Sequence, residues 1–384
     1  MSKPAILIAG GGTGGHVFPA VAVAEAILVL ADAEVVFCGT RRGVEARVVP
    51  ARGWRLERLD VLPMKGGGPL RALRGAMFAA RATLRSLTLV RQLRPRAVLS
   101  VGGYAAGPVT LAAALLGVPV AVLEPNCTVG LANRILAPFA KRAYLAWPDA
   151  AGSFRARAPR LYGVPLRQGF SPRQYAARGT ARVLVMGGSQ GAHALNERVP
   201  DAIARLSVER EVEVLHQAGR DRDEPVRAAY ARGGVKVSTV VPFIDDVAGA
   251  IERADVVVAR AGAATIAEIS AIGRASVLVP FPDASDDHQA KNAEALDRAG
   301  AAVCLRQETA DPARLAIEIG RLLDDDARRV AMADVSRALG RPNAAHDVAA
   351  DLLGLASIRR RDVDHERNVG GTFPTARREA GRCA

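Results

Sequence analysis

Ala5-Ile-Leu-Ile-Ala-Gly-Gly-Gly-Thr-Gly-Gly-His16 and Val183-Leu-Val-Met-Gly-Gly-Ser-Gln-Gly-Ala-His193 carry one pattern twice. In each, a short apolar run meets a glycine loop that ends in histidine, and a helical pattern follows (Val17–Leu30; Ala194–Leu206). An offset of 177 superposes Gly10 on Gly187, Gly11 on Gly188, Gly14 on Gly191 and His16 on His193. A strand that turns through glycines into a helix opens a Rossmann-like unit. Two such openings predict two α/β domains in tandem, each a doubly wound parallel sheet, with a cleft between them. The length of 384 residues agrees, at about 150 residues per domain.

Further strands are expected near Glu34–Cys38, Ala97–Val101, Pro119–Leu123 and Arg142–Leu145, then Glu211–Leu215, Val235–Val240, Asp255–Val258, Ser276–Val279 and Ala302–Cys304, with helical patterns between most of them. The expected division is 1–162, 163–356 and a basic tail, 357–384, whose composition reads as disordered. The last helix, Ala344–Leu355, is placed where it can pack back on the first domain. Four widely spaced cysteines without a C-x-x-C pair argue against disulfides and structural zinc, and for a reducing cytosol. No signal peptide is expected. Ala97–Leu123 carries no charge, but Gly102-Gly103, Gly107-Pro108 and Gly117-Val-Pro119 break it into strand, loop, helix and strand, so no spanning helix is expected.

The net charge of +13 is unevenly placed. Val61–Leu123 holds eight basic residues and no acid, and within Leu70–Leu93 arginines alternate with Leu70, Leu73, Met77, Phe78, Leu84, Leu87, Leu89 and Val90. Such a helix suits an anionic membrane surface; the blander reading is a solvated face opposite a core face. No zinc-finger spacing, RNA-binding aromatic motif or helix-turn-helix pattern supports nucleic acid. The loop before it, Met64–Pro69, reads as mobile.

Glycine turns at helix starts let backbone N–H groups meet an anion. No Gly is followed by Lys, which excludes a Walker loop. Gly10-x-Gly12-x-x-Gly15 matches the dinucleotide fingerprint, but the second strand ends Cys38-Gly-Thr-Arg-Arg42, leaving at most an NADP oxidoreductase with no catalytic pair. Gly10–His16, Gly39–Arg42, Gly102–Tyr104 and Glu124–Asn126 put small or polar groups at one rim, where open α/β sheets bind ligands. In the second half, strand Ala254–Arg260 runs into the turn and helix Ala261–Glu268. Small residues at that helix start suit a diphosphate, and Glu268 can accept bonds from two ribose hydroxyls.

Taken together, Gly10–Pro19, Ser100–Tyr104, Gly187–Gly191, Phe243–Asp246, Arg260–Glu268 and Asp286–Asn292 resemble the peptidoglycan N-acetylglucosaminyltransferases that convert lipid I to lipid II, of glycosyltransferase family 28, from about Ala5 to Leu355. The chain departs from that family at Pro125, where glutamine is usual, and at Val164, where asparagine is usual. The resemblance implies a GT-B fold and inverting transfer of N-acetylglucosamine from UDP to the 4-hydroxyl of undecaprenyl-diphospho-N-acetylmuramoyl-pentapeptide. It implies peptidoglycan synthesis, with its bearing on cell shape and division, at the cytoplasmic face of the bacterial plasma (inner) membrane. Another GT-B enzyme with a lipid or natural-product acceptor is the alternative.

That chemistry needs a base for the hydroxyl and stabilisation of departing UDP. No D-x-D motif ends a strand, so helix N-termini and Arg167, with neither metal nor cofactor, are expected to serve. By the same resemblance Ser189 and Ala263-Ala264-Thr265 hold the UDP phosphates, Ile244 meets uracil through its backbone, Glu268 the ribose, and Gln289 and Asn126 the transferred sugar. Thr13, Gly14 and Gly15 line the cleft where the acceptor diphosphate docks. His16 is the favoured base, since imidazole titrates near neutrality; a capping or sugar-binding histidine is the competing reading. His288 is the alternative base, and His193 reads as structural.

Overall fold

The computed structural model describes residues 3–61, 69–103, 105–157, 159–177, 179, 181–188 and 191–361. Met64–Lys65, Tyr104, Ser189 and the tail beyond residue 361 lie outside them.

The first half runs β1 (Ala5–Gly10), α1 (Gly14–Leu30), β2 (Glu34–Gly39), α2 (Glu45–Val48), β3 (Arg55–Arg58), α3 (Pro69–Leu93), β4 (Ala97–Gly102), α4 (Ala106–Leu115), β5 (Val120–Glu124), α5 (Leu131–Leu136), β6 (Arg142–Leu145) and β7 (Pro159–Leu161). The second runs β8 (Ala181–Met186), α6 (His193–Leu206), β9 (Val212–Gln217), α7 (Asp223–Arg232), β10 (Val237–Val241), α8 (Val247–Arg253), β11 (Val256–Ala259), α9 (Ala263–Ile272), β12 (Ala275–Leu278), α10 (His288–Arg298), β13 (Val303–Cys304), α11 (Pro312–Asp324), α12 (Asp326–Leu339) and α13 (Ala344–Leu355).

All strand pairs are parallel, in the orders β3-β2-β1-β4-β5-β6-β7 and β10-β9-β8-β11-β12-β13. The two-domain α/β architecture expected from the duplicated loops is therefore present. Strand order reverses between β1 and β4 and between β8 and β11, so each glycine loop opens beside a switch point, where such sheets form their ligand crevice.

Central strands such as β1 and β4 are buried along their whole length, which is why they read as unbroken apolar runs. The short edge strands β3 and β7 escape a reading by hydrophobicity: β3 is Arg-Leu-Glu-Arg, only half buried, and is held by its pairing with β2. α1 starts at Gly14, three residues before its apolar pattern begins, because Thr13 is extended at the N-cap and turns the glycines themselves into the first helical turn.

The domains exchange packing partners. Val348, Ala349, Leu352 and Leu353 of α13 are fully buried in the first domain's core with Val23 and Ile27 of α1. In return Trp147, just beyond β6, packs against the second-domain core cluster that holds Leu166, Phe170 and Ile244. The chain thus crosses back to seal the domain with which it began.

Candidate active site

The ends of β1, β4 and β5 form one wall of the cleft. Gly11 N–H donates to the Gly102 carbonyl (3.3 Å), so the first and third glycine loops lie against each other. Thr13 Oγ1 is 3.2 Å from Nδ1 of His16, and that ring lies over Gly102. A Cβ at position 102 would sit 3.1 Å from the ring, and the backbone there has φ +87°, so glycine alone admits the imidazole. Burial pulls the His16 pKa down to about 4; His288 lowers it further and Glu45 opposes. The ring is neutral at physiological pH. With Nδ1–H donated to Thr13, Nε2 keeps a lone pair for a substrate proton.

Glu45 went unnoticed in the sequence. Its buried carboxylate accepts from the N–H of Gly12 (2.7 Å) and from both the N–H and the hydroxyl of Thr40 (2.8 Å each). A Cβ at Gly11 would lie 2.5 Å or less from that carboxylate, so an internal anion shapes the loop and occupies one of its donors. The available sequence signal was an acid closely preceded by Gly39 and Gly43, both of which leave room for it.

At the end of β5, Glu124 is buried and accepts from Asn126 N–H (3.1 Å) and Nδ2 (3.2 Å), Gly130 N–H (2.9 Å) and Asn133 Nδ2 (3.0 Å). Burial pushes its pKa up, and these donors oppose the shift. Pro125 occupies a position between them whose side chain this network does not use.

The second domain supplies the facing wall. α9 begins after Gly262 with no side-chain cap, so the first-turn N–H groups of Ala263, Ala264 and Thr265 are open to an anion. Glu268 stands about one turn further on. Burial raises its pKa to about 7, while Arg167, whose Nη2 is 3.9 Å from its Oε1, pulls the other way. The Arg167 guanidinium also lies over the Phe170 ring, 5.7 Å from its centre. The Ile244 side chain is buried in the core with Leu166 and Phe170, leaving its backbone for a ligand. Gln289 Oε1 accepts from Phe281 N–H (3.1 Å). Ser189 lies outside the described residues. His193 is largely solvent-exposed and lies 3.4 Å from Glu197, one turn further along α6.

Arg260 follows directly on β11, and the sequence pattern alone gives it no role. Its Nη1 donates to the carbonyls of Val279 (3.0 Å) and Pro280 (3.1 Å), and its Nη2 to Gln307 Oε1 (2.6 Å). Arg198 donates to the Gln307 carbonyl. Burial, then Arg198, lower the Arg260 pKa to about 10. The pair fixes the turn on which Gln289 leans. Among the described residues no group of three or more His, Cys, Asp or Glu side chains could hold a metal ion.

The walls meet. α1 touches α9, His16 and His288 are close enough for charge on one to disfavour charge on the other, and Asn292 of α10 bonds to Asn126 and Cys127. Thr13–His16, Asn126, Arg167, the α9 start, Glu268 and Gln289 therefore belong to one cleft. A neutral imidazole on one wall and an uncapped helix N-terminus on the other suit deprotonation of an acceptor on one side and departure of an anion on the other.

Residues 6–145 match the model of the glycosyltransferase family 28 N-terminal domain, and residues 182–348 that of its C-terminal domain. A relative from Sorangium cellulosum is 53% identical over 95% of this chain and 92% of its own. One from Anaeromyxobacter dehalogenans is 44% identical over 93% and 94%. Each is described as a UDP-N-acetylglucosamine–N-acetylmuramyl-(pentapeptide) pyrophosphoryl-undecaprenol N-acetylglucosamine transferase. The crystal structure of Acinetobacter baumannii MurG superposes with a TM-score of 0.78 at 34% identity, covering 92% of this chain and all of that one.

Proposed function

We infer the activity from kinship: the chain belongs to glycosyltransferase family 28, and it is an N-acetylglucosaminyltransferase that forms lipid II from lipid I and UDP-N-acetylglucosamine. The observation that carries this reading is the 53% identity to the Sorangium enzyme along nearly the whole of both chains.

The site suggests how transfer runs. The donor diphosphate docks at the N–H groups of Ala263, Ala264 and Thr265, with Arg167 beside it and Ser189 assigned to it by the family pattern; Glu268 takes the ribose hydroxyls, the Ile244 backbone the uracil, and Gln289 and Asn126 the sugar. Thr13, Gly14 and Gly15 face the acceptor, and His16 Nε2 accepts the proton of its 4-hydroxyl. The oxygen attacks the anomeric carbon as UDP leaves on the opposite face, which inverts the α-linked donor to a β-linked product. Negative charge that develops on UDP is met by the α9 N-terminus and Arg167. An anion arriving there also favours a protonated imidazole nearby, which strengthens His16 as a base once donor is bound.

A polyprenyl acceptor holds the reaction at a membrane surface, which we take to be the cytoplasmic face. No described helix is long and apolar enough to cross one. Met77 and Leu84 of α3, Leu115 of α4, and Ile135 and Phe139 beside them are exposed on elements packed in series, among Arg81, Arg85 and Arg134. That combination supports shallow docking on anionic lipid. Arg85 is already paired with Asp60 (3.2 Å), so its pull on headgroups is smaller than its charge suggests. The side chains of Arg71 and Arg74 lie outside the described set.

A UDP-release assay with a lipid I analogue tests the reading; product should be the β-linked disaccharide. UDP-N-acetylglucosamine binding without transfer to that analogue would overturn the acceptor assignment.

A further inference from the structure

Asn292 is fully buried in the cleft, about one turn of α10 beyond His288 and Gln289. Its Oδ1 accepts from the N–H of Cys127 (3.0 Å), across the cleft. Because a backbone N–H can only donate, this contact fixes which way the amide faces. Nδ2 then donates to Asn126 Oδ1 (3.2 Å) and points to the carbonyl of Ala261 (3.5 Å). One amide thus bridges three segments: the β11–α9 turn where the donor diphosphate docks, the helix that carries His288 and Gln289, and the loop after β5.

The far end of the bridge is firm. Asn126 is held through both its backbone N–H and its Nδ2 by Glu124, whose second oxygen takes Gly130 and Asn133. A continuous path of hydrogen bonds therefore runs from the donor turn, through Asn292, to a buried carboxylate in the first domain. Both polar ends of Asn126 are engaged, which leaves one amide N–H for the sugar.

We propose that Asn292 is a positioning residue that clasps the two domains in the register needed for transfer. It rests on the transferase reading and adds to it the element that aligns the base with the donor. The base stands on the first domain and the donor on the second, so neither domain alone can set the distance between the attacking oxygen and the anomeric carbon. Alignment errors of about 1 Å cost roughly a hundredfold in rate.

The test uses the full-length chain and a soluble lipid I analogue. Asn292→Ala should lower kcat about 30- to 100-fold, leave the UDP-N-acetylglucosamine Kd by calorimetry within about twofold, and speed hydrogen exchange at the Cys127 amide. The last two readouts separate a clasp from a donor ligand and from general unfolding. Asn292→Asp conserves size and sets a carboxylate against the acceptors Asn126 Oδ1 and the Ala261 carbonyl; it should lose kcat to a similar extent and replaces the alanine variant if that one fails to fold. Near-normal kcat in both variants, a donor Kd that weakens in step with kcat, or unchanged Cys127 exchange in Asn292→Ala would overturn the proposal; Asn292→Asp, whose Oδ1 still accepts from Cys127, is judged on kcat and donor Kd. Absence of transfer by the unaltered enzyme would instead remove the reading on which it rests.

Discussion

Glu268→Gln should make the protein more stable and a poorer binder at once. Burial lifts the folded pKa of Glu268 from 4.5 to about 7, even with Arg167 nearby. A raised folded pKa means that the folded state holds its proton more tightly than the unfolded chain does. The stabilising contribution of the neutral acid is therefore complete below pH 4.5 and is lost as pH rises through 7. A shift of this size corresponds to about 3 kcal/mol at pH 8, at 1.36 kcal/mol per unit. Glutamine has no proton to lose, so the variant should gain most of that amount at pH 8 and almost nothing at pH 4.5. Urea midpoints for both proteins across this range read the difference directly. Taking the difference matters, because His16 and His216 have lowered folded pKa values and act in the opposite sense as pH falls. The same exchange removes a charged acceptor for the ribose hydroxyls, so calorimetry at pH 8 should show donor binding weaker by about 1.5–3 kcal/mol. For the unaltered protein, donor affinity should decline as pH drops below 7. Equal stability of the two proteins at pH 8, or an unchanged donor Kd, would refute the claim that a destabilising carboxylate is retained for the nucleotide.

His16→Ala should fold and bind UDP yet lose about 10²–10⁴-fold in kcat; near-normal turnover would transfer the base to His288 or solvent. In kcat/KM the acidic limb belonging to His16 should fall well below pH 6.5, since burial holds its free-enzyme pKa near 4. Burial likewise lowers His216 to about 3, so the unaltered protein should lose about 2 kcal/mol more than His216→Leu between pH 7 and pH 5, read from urea midpoints. Replacing Met77, Arg81 and Leu84 by Gln should reduce sedimentation with anionic vesicles while leaving turnover on a soluble acceptor unchanged; undiminished binding would make that face merely solvated. Turnover should survive EDTA, and a full loss restored by Mg²⁺ or Mn²⁺ would move leaving-group stabilisation from the α9 N-terminus to a metal.

The glycine loops were legible because each is a local event: a run of buried strand, a turn that needs glycine, and a helix start, all within about a dozen residues. Glu268 and Arg167 were legible as separate residues but not as a pair, since the 3.9 Å contact joins the interdomain segment to α9. Glu45 was obscured for a similar reason. Its partners Gly12 and Thr40 belong to different strand ends, and an acid between arginines and glycines reads as a solvated loop until the β1 and β2 termini are set side by side. Asn292 stood within a quoted motif, yet its contacts reach back about 165 residues. The short edge strands fell below notice because pairing with a neighbour, rather than hydrophobicity, makes them strands.

The return of α13 to the first domain sets the order in which the protein can mature on the ribosome. β7, the last strand of the first sheet, ends at Leu161, but the helix that covers Val23 and Ile27 starts only at Ala344. At a synthesis rate of about 5–20 residues per second, the first domain waits roughly 10–40 s with an apolar groove along α1 uncovered. The second domain, whose elements are nearly consecutive, can close in the meantime. A protein that begins folding at its N-terminus thus finishes there last, and the nascent chain presents a surface for chaperones throughout the interval.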